Sequence, residues 1–252
     1  LKDRIFYAKS NLHLFWKLLP ELRGSSKIFF HHLPHGPALI LWSLFPALLS
    51  KTTWIIWGAD LYLYKEAKKS ISHRFYEFFR KNIIRQVPCI ASLIREDYEK
   101  AVEVYGARAE YIQVMYPVPV NYLHFKVKND SLQKKTCRNL LIGNSGDPSN
   151  NHLEMIRKLE SLRNTDLKIF CPLSYGGSQL YKDSVVAKGK DIFGNRFIPI
   201  LDLIPPDKYL EMIFDIDIVM MNHERQQGLG NIFPLLYFRK KVFLRSDTTS
   251  FR

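Results

Sequence analysis

With 252 residues, 46% of them apolar and 13% aromatic, the chain carries far more hydrophobic material than a disordered segment and enough for one large domain or two smaller ones. Its 37 Lys and Arg against 24 Asp and Glu leave a net charge of +13, which disfavours cationic partners and admits three anionic ones: nucleotide diphosphates, acidic lipid headgroups and nucleic acid. Three well-separated cysteines, Cys89, Cys137 and Cys171, show no Cys-x-x-Cys spacing; this excludes a disulfide framework and fits reduced, cytoplasmic usage.

Leu1 opens the chain with neither an initiator Met nor a secretory pattern, as in a trimmed chain, and the first 26 residues have no clean periodicity. From there, short apolar runs alternate with longer amphipathic stretches, the pattern of βαβ units and a parallel sheet. Strands are predicted near Lys27–His31, Thr53–Gly58, Pro88–Ser92 and Ala109–Gln113, with helices near Pro37–Leu49, His73–Gln86 and Glu96–Tyr105. The run Ala38–Leu49 is too short for a membrane span, which needs about 20 apolar residues, and reads as a buried helix. Tyr116–Arg138, with two prolines and a polar cluster at Lys126–Lys135, reads as a linker. Beyond it the alternation resumes. Strands are predicted near Asn139–Gly143, Leu167–Cys171, Arg196–Ile200, Ile216–Asn222 and Lys241–Arg245, and helices near Asn151–Arg163, Ser178–Lys188, Pro206–Ile213 and Gly228–Phe238. The expected fold is α/β: two Rossmann-like domains, 1–125 and 126–252, whose parallel sheets face each other across a cleft and present ligands at the C-terminal strand ends.

Two segments of the second half have the composition of a phosphate site. Leu140-Leu141-Ile142-Gly143-Asn144-Ser145-Gly146-Asp147-Pro148-Ser149-Asn150-Asn151-His152 runs from an apolar strand through a small, polar turn into a helix. Its glycines permit close backbone approach, and Ser149, Asn150 or Asn151 can cap a helix whose free N–H groups suit a diphosphate. An ordinary β–α turn with a good cap has the same composition. Met220–Asn231 repeats the theme, with Arg225 offering a fork of donors ahead of Gly228 and Gly230. Neither segment is a P-loop, and Gly228-Leu229-Gly230 lacks the third glycine of a dinucleotide fingerprint.

In the first half, Trp54–Tyr62 ends a hydrophobic strand at Gly58 and places Asp60 at its C-terminal edge. A carboxylate there can accept the proton of an attacking hydroxyl, or simply orient the next segment. His31, His32 and His35 follow another strand with no Cys or acidic residue nearby to complete a zinc site; His31 is the best candidate to meet acceptor or phosphate. Between Lys65 and Arg85, bases including Lys68, Lys69, Arg74 and Lys81 interleave with Phe75, Phe78 and Phe79. On a helix this suits an anionic membrane interface, although aromatics facing a core and solvated bases would read alike.

Five segments together resemble a known family. They are Ile28-Phe29-Phe30-His31, Ile56-Trp57-Gly58-Ala59-Asp60-Leu61-Tyr62, Ile142–Asp147 with Ser149, Asn150 and His152, Pro172 with Tyr175, and Arg225-Gln226-Gln227-Gly228 with Gly230. In order and spacing they are similar to the 4-alpha-L-fucosyltransferases, glycosyltransferase family 56. The resemblance implies a GT-B glycosyltransferase with no cofactor and no metal. It implies a donor, a deoxyamino sugar on dTDP, held by the second domain, and a polyprenyl-diphosphate-linked saccharide met by the first. Carried over by position, Gly143, Asn144, Ser145, Gly146 and Asp147, with Arg225, Gln226, Gln227, Gly228 and Gly230, hold the donor, and Asn150, His152 and Tyr175 lie near it. Asp60 and His31 are then the candidate catalytic residues. The setting is peripheral, at the cytoplasmic face of a bacterial inner membrane, in synthesis of a surface polysaccharide such as enterobacterial common antigen. A GT-B nucleotide-sugar epimerase is the rival enzyme, and a basic nucleic-acid-binding protein a third reading; with no nucleic-acid motif in the sequence, a nucleic-acid partner is not expected.

Overall fold

The computed structural model describes residues 10–67, 70–115 and 138–252. Two compact units, Leu1–Tyr116 and Pro117–Arg252, make up the chain.

The first unit begins with helix α1 (Asn11–Gly24), in the stretch that showed no periodicity. Ser10 starts it by accepting from the His13 N–H, and Pro20 lies inside it. Four parallel strands follow in simple sequence order: β1 (Ile28–His31), β2 (Thr52–Ile55), β3 (Cys89–Ser92) and β4 (Glu110–Gln113). The single helix expected between β1 and β2 is two, α2 (Pro37–Ser43) and α3 (Pro46–Leu49), because Pro46 disfavours helical geometry in the residue before it. A short α4 (Tyr64–Ala67) precedes α5 (Ile71–Gln86), and α6 (Arg95–Tyr105) ends at Gly106 in the left-handed conformation. Trp54, Leu39, Leu49, Ile83, Ile84 and Ile90 form the centre of this core.

The second unit has five parallel strands: β5 (Asn139–Ile142), β6 (Lys168–Pro172), β7 (Phe197–Ile200), β8 (Ile218–Met221) and β9 (Lys241–Leu244). Their order across the sheet is β7-β6-β5-β8-β9. The chain builds outward from β5 through β6 to β7, then returns to the other side of β5 for β8 and β9. Between β5 and β8 the direction reverses, the point of an open α/β sheet at which ligands bind outside the C-terminal strand ends. The connecting helices are α7 (His152–Lys158), α8 (Gln179–Phe193), α9 (Pro206–Phe214) and α10 (Leu229–Tyr237). Ile142, Ile156, Ile169, Cys171, Leu173 and Val185 are fully buried between sheet and helices. No described helix is long and apolar enough to cross a membrane.

Candidate functional site

The loops after β5 and β8, at the reversal, carry most of the second unit's buried polar side chains: Asn144, Ser145, Asn150, His152, His223, Gln226 and Gln227. Burying that many polar groups is tolerated where they bond one another, and most of them do. Asn150 Oδ1 accepts from the Asn144 N–H at 2.9 Å and lies 3.0 Å from His223 Nε2. Gln227 Nε2 donates to Asn144 Oδ1 at 3.2 Å, and Ser149 Oγ lies 2.6 Å from Asp147 Oδ1 and 2.9 Å from Gln227 Oε1. Asn144 Nδ2 donates to the Tyr175 hydroxyl at 3.0 Å, which brings the loop after β6 into the same network. Arg225 Nη2 stands 3.5 Å from Asp147 Oδ2.

The two glycine-bearing segments therefore meet, together with Tyr175. Their glycines act differently from the sequence expectation of close ligand approach. Gly143 has φ +66°, and a Cβ there would sit 2.5 Å from His152 Nε2 and 2.8 Å from Asn150 Oδ1; Gly228, at φ +73°, would press on His223 and Asn144. Both make room for protein side chains. Gly230 is the exception, since open space lies where its side chain would be. It occupies the first turn of α10, which starts at Gly228 with no side-chain cap. The start of α10 thus leaves N–H groups uncapped at a helix end that favours anions.

The other helix start does not have the predicted form. Pro148 opens a single 3-10 turn, Pro148–Asn150, whose Ser149 N–H is capped by the Asp147 side chain. Asn150 turns inward to the network instead of capping, and Asn151 Nδ2 donates to the Asn222 carbonyl. Asp147 thus caps the 3-10 turn alone, and α7 itself starts after Asn151 with no side-chain cap.

Electrostatics divide these residues into fixed and available groups. Burial holds the His152 imidazole down to about 4 and that of His223 to about 3, the latter helped by the Arg225 charge, so both are neutral near pH 7. Burial raises Asp147, but the Ser149 hydrogen bonds and Arg225 outweigh it and hold the carboxyl below its ordinary range. Among the side chains of this cluster two buried atoms lack a hydrogen-bond partner, Gln226 Oε1 and His152 Nε2; His152 Nδ1 is 3.2 Å from the Tyr181 hydroxyl.

In the first unit, Asp60 has the orienting role of the two left open. It is 0% exposed, and four donors converge on it: the Leu33 N–H and Trp54 Nε1 on Oδ2, the Trp57 and Leu61 N–H groups on Oδ1. Those bonds tie the ends of β1 and β2 together and leave neither oxygen turned to an acceptor hydroxyl. His31 is exposed at the end of β1, its ring centroid 6.4 Å from that of Trp57. His32 has φ +78°, uncommon for a residue other than glycine, and its Nδ1 lies 2.7 Å from the Leu33 carbonyl. A carbonyl only accepts, so Nδ1 is the donor of this bond. Among the described residues no three His, Cys, Asp or Glu side chains are grouped to hold a metal ion.

On α5, the spacing Ile71, Phe75, Phe78 puts three exposed apolar residues on one stripe, with exposed Arg74 and half-buried Lys81 nearby. Phe79 does not belong to that surface. It is partly buried and packs against the core, on the turn it shares with Tyr76 and Ile83. Lys68 and Lys69 lie outside the described residues.

A polar cluster at a strand-order reversal, in a unit that follows another parallel α/β unit, is the layout of GT-B glycosyltransferases, and the solved structures bear on the fold alone. The chain superimposes on an α,α-trehalose-phosphate synthase from Burkholderia xenovorans with a TM-score of 0.60 at 11% identity, covering 98% of this chain and 66% of that one. A glycosyltransferase from Rickettsia africae gives 0.60 at 13% identity, covering 95% and 64%. A trehalose-phosphate synthase from Burkholderia vietnamiensis gives 0.62 at 9%, covering 98% and 64%. The chain thus spans less than two thirds of the length of each of these proteins and has their GT-B fold. The family is shown by sequence: the profile of the 4-alpha-L-fucosyltransferases, glycosyl transferase group 56, matches residues 22–247, and the chain belongs to that family.

Proposed function

We propose that this protein is a glycosyltransferase whose second unit binds a nucleoside diphosphate sugar at the β5–β8 reversal. The observation that carries the reading is the meeting of the Gly143–Asn151 and Asn222–Gly228 loops beside the uncapped start of α10. In the transfer, an acceptor hydroxyl oxygen bonds to the anomeric carbon and the bond from that carbon to the diphosphate oxygen breaks. Charge develops on the departing diphosphate, and fixed donors aimed there lower the barrier. The Leu229 and Gly230 N–H groups are such donors, and Arg225 joins them by exchanging Asp147 for phosphate. Gln226 Oε1, a buried acceptor without a partner, is suited to a hydroxyl or amide N–H of the donor.

Family membership supports a dTDP-linked deoxyamino sugar as donor and a polyprenyl-diphosphate-linked saccharide as acceptor. The first unit meets the acceptor, with His31 taking the hydroxyl proton, and the Ile71–Phe78 stripe of α5 rests on an anionic membrane at the cytoplasmic face of the inner membrane. Thermal-shift screening against UDP, dTDP, GDP and their sugars tests the donor; a rise in melting temperature with dTDP is expected, and no response to any of them removes the reading. Arg225→Ala should weaken nucleoside diphosphate binding about 10-fold in calorimetry; unchanged affinity would take Arg225 out of the site.

A further inference from the structure

The sequence reading named Arg225 as the cation of the donor site. In the structure Arg225 is engaged by Asp147, and a second cation comes from an element that supplied only Tyr175 to the predicted set. The loop after β6 is locked onto the loop after β5. The Gly146 N–H donates to the Tyr175 carbonyl at 2.7 Å, a Cβ on Gly146 would lie 2.8 Å from the Gly176 oxygen, and a Cβ on Gly177 would run into the Gly146 carbonyl. This interlock brings the start of α8, capped by Ser178, up to the glycine turn.

Lys182 sits in that first stretch of α8. Its Cε lies 2.6 Å from where a Gly146 Cβ would be, so the end of its side chain lies over the turn. The side chain is half-buried, and among the described residues no ion pair or side-chain hydrogen bond engages its ammonium. A surface lysine held against a loop usually pairs with a neighbouring carboxylate, and the one on this loop, Asp147, is taken by Arg225 and Ser149. A half-buried positive charge over the glycine turn, with no counter-ion among the described residues, is arranged for an anion that arrives.

We infer that Lys182 is a donor-binding residue, its ammonium contacting the diphosphate of the nucleotide sugar over the Gly146 turn. This rests on the donor site proposed above. Three loops, after β5, β6 and β8, then surround the diphosphate, with Lys182 as the point charge and Arg225 as the planar fork.

Calorimetry with the nucleoside diphosphate that wild type binds best, among UDP, dTDP and GDP, tests it. Lys182→Met keeps the stem over Gly146 and removes the charge; affinity is expected to fall about 10-fold or more at low salt, with the melting temperature of the free protein unchanged. Lys182→Arg should recover most of that loss, and wild-type affinity should fall more steeply with salt than that of Lys182→Met. Equal affinities of wild type and Lys182→Met would overturn the role of Lys182 while leaving the donor site standing. Wild type binding none of the three would bring down the donor site, and this inference with it. If Lys182→Met melts early, Lys182→Gln replaces it: loss with Gln and retention with Arg supports the assignment, and retention with both ends it.

Discussion

The two units follow one recipe and use polar residues in opposite ways. In the first, the described strands run in sequence order, and the loops after β1 and β2 close around a buried carboxylate, Asp60, with four donors on it. In the second, the order reverses at β5, and a network of amides, imidazoles and hydroxyls fills the reversal while leaving the α10 start and Lys182 unmatched. Polar groups that satisfy one another build structure. Polar groups left over mark where a ligand completes them. Both units bury atoms without a hydrogen-bond partner, Glu77 Oε1, Arg80 Nη1 and Tyr111 Oη in the first and Gln226 Oε1 and His152 Nε2 in the second, so the difference lies in where they sit: in the second those two belong to the segments that follow β5 and β8.

All four tryptophans, Trp16, Trp42, Trp54 and Trp57, lie in the first unit, so Trp fluorescence follows that unit alone and the comparison can be broken experimentally. The largest effect is expected from Asp60→Ala, which strands four buried donors and should cost the first unit about 4 kcal/mol or more in denaturant unfolding followed by Trp fluorescence. Lost turnover with unchanged unfolding would return Asp60 to a role as base. Next comes Gly177→Ala, at φ +64° and against the Gly146 carbonyl, which should cost the second unit about 3 kcal/mol, read by circular dichroism, with little change in the Trp transition.

Acid should separate the units as well. His152 and His223 have folded values pulled down to about 4 and about 3, below the unfolded value of about 6.5. Between those values the unfolded chain binds the protons, so stability is full above about pH 6.5 and is lost as pH falls, by about 1.4 kcal/mol per pH unit for each histidine. His223→Gln should flatten that slope by half; an unaltered slope would mean His223 is not buried neutral. The smallest stability effect is expected at the surface. Phe78→Ser should stay within about 0.5 kcal/mol of wild type while reducing flotation with anionic vesicles, and undiminished flotation would remove the α5 stripe as a membrane face.

Most strands were legible because apolar runs of four or five residues bounded by Gly, Pro and polar clusters can do little else. The helix α1 was missed: its cap, Ser10, follows a stretch without periodic apolar residues, and Pro20 reads as a breaker. Pro46 was visible, but whether a proline kinks a helix or splits it depends on packing. In the site, the glycine segments were conspicuous and Lys182 was not. Nothing near Lys182 in sequence distinguishes it from Lys188 or Lys190; only the interlock of Gly146 with Gly176 and Gly177 places it over the turn. Asp60 was ambiguous for the same kind of reason. Position at a strand end suits a base and an anchor equally, and the count of donors around it decides.

Taken alone, the order of residues determined that two parallel α/β units form, since hydrophobic period and turn chemistry act over a few residues. It also determined the family, since five separated segments agree with it. The tertiary structure decided which side of β5 receives β8, and therefore which loops meet. It also decided which polar atoms find partners. Both depend on contacts between residues as many as 83 positions apart, such as Gln227 with Asn144, and no local pattern encodes whether a given hydrogen bond is already taken.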